Sequence, residues 1–268
     1  MIATVRSPLP FLRAPLGNEP GRFPADHAFC TRRGGVSQGP YEELNVSPSV
    51  GDDPHAVDEN WRRVRAAFPH VRHWVTMRQV HGTEVHVVRK PTESRSESCD
   101  ALVTCVPGVA LCVTTADCVP ILLSDSTGSV VAAVHAGWRG SVANVVGRVV
   151  ERMAEEFSLL PAEVYAVLGP AIRPCCYVVG PEVAAAVDRL GLGAAILRGK
   201  RGGEVRLDLH MLNRELLHRA DLRPERVVAI ELCTACQSQD FFSHRRSGFP
   251  AGRQLSWVAA RAMPGLAT

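Results

Sequence analysis

No run of apolar residues in the chain approaches the ~18 that a membrane-spanning helix needs, so no transmembrane segment is expected. No excess of one charge exists either: 30 basic against 27 acidic residues leave a formal +3. With no basic block interleaved by aromatics, neither nucleic acid nor a membrane surface is an expected partner. Internal repeats, low-complexity tracts and shifts in composition are missing, which argues against solenoids, tethered tails and a domain boundary. The opening residues, MIATVRSPLPFLRAPLG, lack the continuous apolar stretch of a secretory signal. The nine cysteines, an odd number, are accordingly expected as reduced thiols in the cytoplasm. Cys233 and Cys236 form a CxxC with no second CxxC or HxxxH to complete a zinc ribbon, and free core thiols are the favoured reading. Cys175 and Cys176 are adjacent, an arrangement not expected to aim both at one metal, and read as packing or loop thiols.

What is present is an ordinary core-forming composition, 46% hydrophobic and 21% charged in 268 residues, long enough to bury a core without staples. Residues 114–140, TTADCVPILLSDSTGSVVAAVHAGWRG, organise the rest. Two short apolar runs, 119–123 and 130–134, flank a Gly-containing turn and predict a β-hairpin. The hairpin brings Cys118, just before the first run, to the same end as His135, just after the second. A thiol and an imidazole placed together point to a metal site or to a nucleophile–base pair. The period then changes: Val142, Val145, Val146, Val149, Val150, Met153 and Phe157 recur at helical spacing. His135-Ala136-Gly137-Trp138-Arg139-Gly140 is therefore predicted as a strand-to-helix loop whose free amides could receive an anion.

Around this stretch the remaining elements fall into place. Asp52-Asp53-Pro54 predicts a helix start, with Val57, Trp61, Val64 and Phe68 on its buried face. Residues 74–81 and 84–88 predict two strands, with His81 at the Gly-marked turn between them. Residues 32–41 carry two arginines and several glycines. They form a loop able to clamp an anion or simply to stand in solvent. Residues 1–25 are predicted extended and 90–99 an exposed loop. Helices are expected at 181–190 and 208–220, and strands at 164–168, 227–232 and 255–260. The whole, 1–268, reads as one mixed α/β domain.

Three candidate ligands, His81, Cys118 and His135, each stand where a β-like run meets a turn. Their spacing matches no local zinc motif, so buried thiol and hydrogen-bonded histidines remain the competing reading.

The strings TRRGGVSQGPYEELNVS, VGDDPHAVDENW, RQVHG, CDALVT, TTADCVPILL, AAVHAGWRG, GPAIRPCCYVVG and FFSHRR, in this order over nearly the whole chain, resemble the YfiH/laccase-domain family, also called multicopper polyphenol oxidase or PgeF-like. The resemblance implies a layered sandwich of mixed β-sheets flanked by helices, with a motif-bearing core of about residues 26–260, related in architecture to a toxin deamidase with a Cys–His pair. It implies one Zn2+ on His81, Cys118 and His135. It further implies a cytoplasmic purine nucleoside phosphorylase acting on adenosine, inosine, guanosine and methylthioadenosine with phosphate, plus adenosine deaminase activity. Other labels attached to the family are cysteine hydrolase or amidase, peptidoglycan-precursor editing and laccase. The sequence departs from the family at FFSHRR, where a Tyr is expected in place of His244; the ring is read as a replacement at a pocket rim.

Residue chemistry ranks these labels. Multicopper oxidation needs several His clusters, usually HxH pairs, and the chain has no HxH. Laccase activity is therefore the least supported, although copper could enter a His/Cys site adventitiously. Deamination suits a three-ligand zinc site, but the H-x-E…P-C-x-x-C signature with its Glu proton carrier is missing. Asp117, beside Cys118, is the candidate to replace it, completing a catalytic set of Cys118, His135 and Asp117. Phosphorolysis asks for an anion clamp, for which Arg32 and Arg139 are candidates, with Asn45 and Ser243 as candidate substrate readers. The alternative is a metal-free Cys118 nucleophile with a histidine base.

Overall fold

The computed structural model describes residues 3–5, 9–19, 21–91, 98–199 and 203–262. Its first half contains β1 (Ala3–Val5), β2 (Phe11–Arg13), β3 (Asp26–Cys30), α1 (Pro54–Ala67), β4 (His73–Val75), β5 (Val85–Val88), β6 (Ala101–Thr104), β7 (Val109–Thr115), β8 (Val119–Ser124) and β9 (Val131–Ala136). The second half adds α2 (Trp138–Val142), α3 (Val145–Phe157), β10 (Tyr165–Leu168), β11 (Val178–Val179), α4 (Pro181–Arg189), β12 (Ile196–Arg198), β13 (Val205–Leu207), α5 (Leu209–Arg219), β14 (Val227–Ala229), α6 (His244–Ser247) and β15 (Gln254–Ala259). Two six-stranded mixed sheets, ordered β1-β2-β3-β15-β7-β4 and β14-β10-β8-β9-β6-β5, lie face to face, and β11, β13 and β12 form a small third sheet.

Side-chain alternation along the strands explains the layering, since successive residues point to opposite faces. In β7, Leu111 and Val113 join a core between the two sheets, while Ala110 and Cys112 pack outward with Val64 of α1 and with Phe68 just after it. In β8, Leu122 points to the first sheet, while Val119, Ile121 and Leu123 meet Val149 and Met153 of α3 and Leu212 of α5. Both faces of each large sheet are thus covered, and this is why these strands are continuous apolar runs rather than alternating ones. The architecture is the expected mixed α/β sandwich flanked by helices.

Local chemistry accounts for the element boundaries. Asp53 caps α1 by accepting from the His55 amide at 3.0 Å, with Pro54 in the first turn. The β8–β9 hairpin turns on Asp125, whose Oδ1 accepts the amides of Ser129 (2.8 Å) and Val130 (2.9 Å). Three expectations change. The strand predicted over 74–81 stops at Val75, because Gln79 leaves the sheet and binds the backbone of Thr114 through both its amide groups. The expected single helix after Gly140 is two: Asn144, with a left-handed φ of 64°, breaks it and caps α3 through Gly147. Part of the N-terminal segment predicted extended is paired, β1 to β2 and β2 to β3. Most of the loop expected over 90–99 lies outside the described residues.

Candidate metal site and cavity

The hairpin register places Pro120 opposite His135 and Val119 opposite Ala136, so Cys118 and His135 meet at one end of the sandwich. His81 arrives from the β4–β5 loop. The donor atoms of His81, Cys118 and His135 all lie within 4.8 Å of one another, with Cys118 Sγ 3.9 Å from His81 Nε2. Tetrahedral zinc would place a sulfur and a nitrogen ligand ~3.6 Å apart, given bonds of ~2.3 and ~2.05 Å. The two imidazoles stand edge to face, 4.7 Å between centroids. This donor set fits a divalent metal of zinc's preferences.

Asp100, fully buried, organises the cluster. Its Oδ1 accepts from His135 Nδ1 at 2.8 Å and from the His81 amide at 2.9 Å, and its Oδ2 accepts the amides of Gly82 (2.7 Å) and Val80 (3.1 Å). Burial pushes the Asp100 carboxyl up, but the hydrogen bonds from His135 and Gly82 outweigh it and hold the group below its ordinary range. Because Nδ1 of His135 is committed to Asp100, its Nε2 is left for the cluster. Burial also raises the Cys118 thiol, yet the His135 and His81 rings outweigh burial and bring it down to about 6. His135 moves the other way: burial lowers it, and Cys118 and Asp100 raise it to about 9. Asp100 was not singled out from sequence. The only signal was an acid placed directly before the all-apolar start of a strand in CDALVT.

His81 (φ 61°) and Asp117 (φ 98°) both hold left-handed backbone that non-glycine residues rarely adopt. Asp117 is buried beside the cavity, but its carboxylate is already engaged: Oδ1 takes the Thr234 hydroxyl at 2.7 Å and Oδ2 the Arg245 amide at 2.6 Å. The geometry makes it an anchor for two loops as well as a neighbour of Cys118.

The cluster lies in the wall of a cavity of about 710 Å3, within the range of small-ligand sites. Arg65, Arg78, Arg139, Arg245 and Arg253 face this cavity, together with Tyr177, His244 and Phe249. Tyr177 is a phenol pushed up to about 12 by burial and by Cys118, and it therefore stays protonated at neutral pH. The Arg245 guanidinium stacks 4.9 Å from the Tyr177 ring centre. His244 sits at the cavity margin and is not among the three clustered donors.

Of the four residues suggested from sequence to bind substrate or phosphate, Arg139 lines the cavity, but Arg32, Asn45 and Ser243 do not. Arg32 spends its guanidinium on the carbonyls of Glu42 and Ser238 and stacks on Phe242. The anion expected in its loop has a substitute inside the protein: Glu43 accepts from Arg33 (2.9 Å) and from the Gly34 amide (2.7 Å). Asn45 is wholly buried and holds the Arg253 amide at 2.9 Å. Ser243 caps the short helix α6. The amides expected to be free around Arg139 are partly used, because α2 already begins at Trp138 and the Ser141 amide bonds to Gly137. Tyr177 and Arg78 are cavity groups that sequence reasoning passed over.

Residues 26–261 match the family described as multi-copper polyphenol oxidoreductase laccase. A Deinococcus radiodurans protein named purine nucleoside phosphorylase is 40% identical over 252 residues, 93% of this chain and 92% of that protein. A protein named adenosine deaminase RL5, from an unknown prokaryotic organism, is 33% identical over 243 residues, 86% of this chain and 92% of its own. The crystal structure of YlmD from Geobacillus stearothermophilus superposes with a TM-score of 0.86 at 32% identity, covering 98% of this chain and all of that one (100%). The chain belongs to this laccase-like YfiH family.

Proposed function

We propose that this chain is a zinc-dependent purine nucleoside phosphorylase that also deaminates adenosine. The observation that carries the reading is the His81–Cys118–His135 cluster in the wall of a nucleoside-sized cavity faced by five arginines. The names of relatives at 40% and 33% identity support it. In phosphorolysis the bond from the sugar C1′ to the base nitrogen breaks. A phosphate oxygen forms the new bond to C1′, and the base takes a proton. Arg139 and Arg253 supply fixed positive charge for the phosphate. Tyr177 keeps a hydroxyl proton to donate towards the base, and Phe249 and His244 offer planar faces for it to stack on. Zinc bound at the cluster supplies Lewis acidity at the cavity wall. Asp117 positions the wall by tying Thr234 and Arg245 beside Cys118. Nine free cysteines suit a reducing cytoplasm. Strands from both ends of the described chain share the first sheet, in keeping with one domain.

A second reading rests on a specific observation. Cys118, His135 and Asp100 stand in the order nucleophile, base and orienting acid, with the thiol already lowered. Without metal, this set is that of a cysteine hydrolase. The deciding experiment incubates adenosine with and without phosphate and follows adenine, ribose 1-phosphate and inosine. Phosphate-dependent adenine release that disappears in Cys118→Ala is the expected result. No product, or undiminished release by Cys118→Ala, overturns the phosphorylase reading.

A further inference from the structure

Beside this cavity, four cysteines converge from two loops. Cys175 and Cys176 lie in the turn after β10, and Cys233 and Cys236 in the turn after β14. β10 and β14 are parallel neighbours, and Ala171 bridges to Cys233 just beyond them, so both loops leave the same sheet edge together. All four Sγ atoms lie within 4.8 Å of one another. Cys236 Sγ is 3.5 Å from that of Cys175 and 3.4 Å from that of Cys176. Four sulfurs on a tetrahedral zinc, with bonds of ~2.3 Å, stand ~3.8 Å apart. A disulfide needs two sulfurs at ~2.05 Å and gives no reason for the other two to gather.

The adjacency of Cys175 and Cys176, which sequence reasoning treated as a bar to shared ligation, is no bar here. The amides of Cys176 and Tyr177 both donate to the Arg173 carbonyl, winding the turn tightly enough to bring both sulfurs to one point. On the other loop, Gln237 closes a turn onto the Cys233 carbonyl, and the Arg173 amide donates to Cys233 Sγ at 3.4 Å. Four thiolates on Zn2+ leave a net charge of −2, and positive charge is at hand. The Arg206 guanidinium donates to the carbonyl of Cys175, and that of Arg246 to the carbonyl of Ala235. Cys175 and Cys236 are exposed, so an ion can enter.

We propose that Cys175, Cys176, Cys233 and Cys236 form a structural zinc site, separate from the His81–Cys118–His135 cluster, that staples the loop carrying the cavity residues Ile172 and Tyr177 to the loop carrying Thr234. Binding exchanges four thiol protons for one Zn2+. The site would hold the catalytic wall through its immediate neighbours. Tyr177 follows Cys176 and lines the cavity, and Thr234 follows Cys233 and bonds Asp117.

The test uses the full-length chain carrying His81→Ala and Cys118→Ala, purified with a non-thiol reductant and without chelator, so that the first cluster cannot contribute. Elemental analysis is expected to find one zinc per chain, and X-ray absorption four sulfur neighbours at ~2.3 Å. Adding Cys175→Ser and Cys236→Ser should abolish that equivalent. The absorption measurement needs no change to the four cysteines, so it decides the matter even if the serine variants fail to fold. Absence of zinc, nitrogen or oxygen in its first coordination sphere, or a Cys175–Cys236 disulfide under the same reducing conditions overturns the proposal. Each of these outcomes is independent of whether the first cluster holds metal or turns over nucleosides.

Discussion

Asp100 and His135 are joined by a single short contact, Oδ1 to Nδ1 at 2.8 Å, and the same oxygen also takes the His81 amide. One buried carboxylate thus fixes the ring of one histidine and the backbone of the other. Asp100→Asn keeps the size of the group but turns an amide N–H2 towards donors at Val80 and Gly82 or towards His135. Metal affinity, measured by competition with a chromophoric chelator, should fall by roughly 10–100-fold, as for other partners that orient metal-binding histidines. A change smaller than about twofold would show that the three ligands hold their geometry without Asp100.

Gly137 touches the same cluster from another side. Its φ of −78° and ψ of 167° suit any residue, so its glycine identity is a matter of space. A Cβ there would lie 2.9 Å from His81 Cδ2 and 3.0 Å from Cys118 Sγ. Gly137→Ala must therefore displace two ligands while leaving the backbone acceptable. Metal affinity and phosphorolysis are expected to drop on the order of tenfold or more, with the thermal midpoint little changed. Undiminished metal binding would mean that the ligands have room to yield.

The contrast between these two residues shows what the sequence could convey. The β8–β9 hairpin was legible because its two apolar runs and turn are contiguous, and it delivers Cys118 and His135 together. The start of α1 was legible because Asp53 and Pro54 act on their immediate neighbours. His81 was tied to the hairpin mainly by family resemblance, since the loop that brings it in crosses from β4 in the first sheet to β5 in the second. Asp100 was missed because a buried carboxylate serving four distant donors leaves no periodic trace. Arg32 misled for a similar reason: an arginine in a glycine-rich loop suggests a bound anion, and the partners are instead the chain's own carbonyls, with Glu43 filling the loop. The four-cysteine cluster was invisible because parallel pairing of β10 with β14 sets its geometry.

Acid sensitivity should come from His27. It is fully buried in β3, and its Nε2 accepts the Ala14 amide at 3.0 Å, which leaves Nδ1 to donate to the Ala25 carbonyl at 3.0 Å. That pattern admits only the neutral ring, and burial lowers the group to about 4. In the unfolded chain the same histidine protonates near 6.5. Between those values the unfolded state binds the extra proton, so stability is intact above pH ~6.5 and falls as pH drops towards ~4, by as much as ~3 kcal/mol from this residue. Denaturant titrations across that window should show a shallower decline in His27→Gln than in the wild type. Equal slopes would assign the acid sensitivity elsewhere, for instance to His210, which burial also lowers to about 4.

Metal removal separates the two chemical readings of Cys118. In the metal-free protein the thiol titrates near 6 because His135 and His81 face it, so it is mostly thiolate at pH 7, whereas an ordinary cysteine titrates near 8.5. Iodoacetamide should then modify Cys118 rapidly, with a rate that reaches half its maximum near pH 6, as located by peptide mass mapping. Zinc restored to the protein ties up the sulfur and should slow that modification at least ~10-fold, while adenine release from adenosine and phosphate returns with the metal. A cysteine hydrolase predicts the reverse pairing: turnover survives chelation, and alkylation of Cys118 abolishes it whether or not zinc is present. The same two measurements, alkylation rate and phosphate-dependent turnover with and without zinc, therefore assign the sulfur either to a metal or to a substrate.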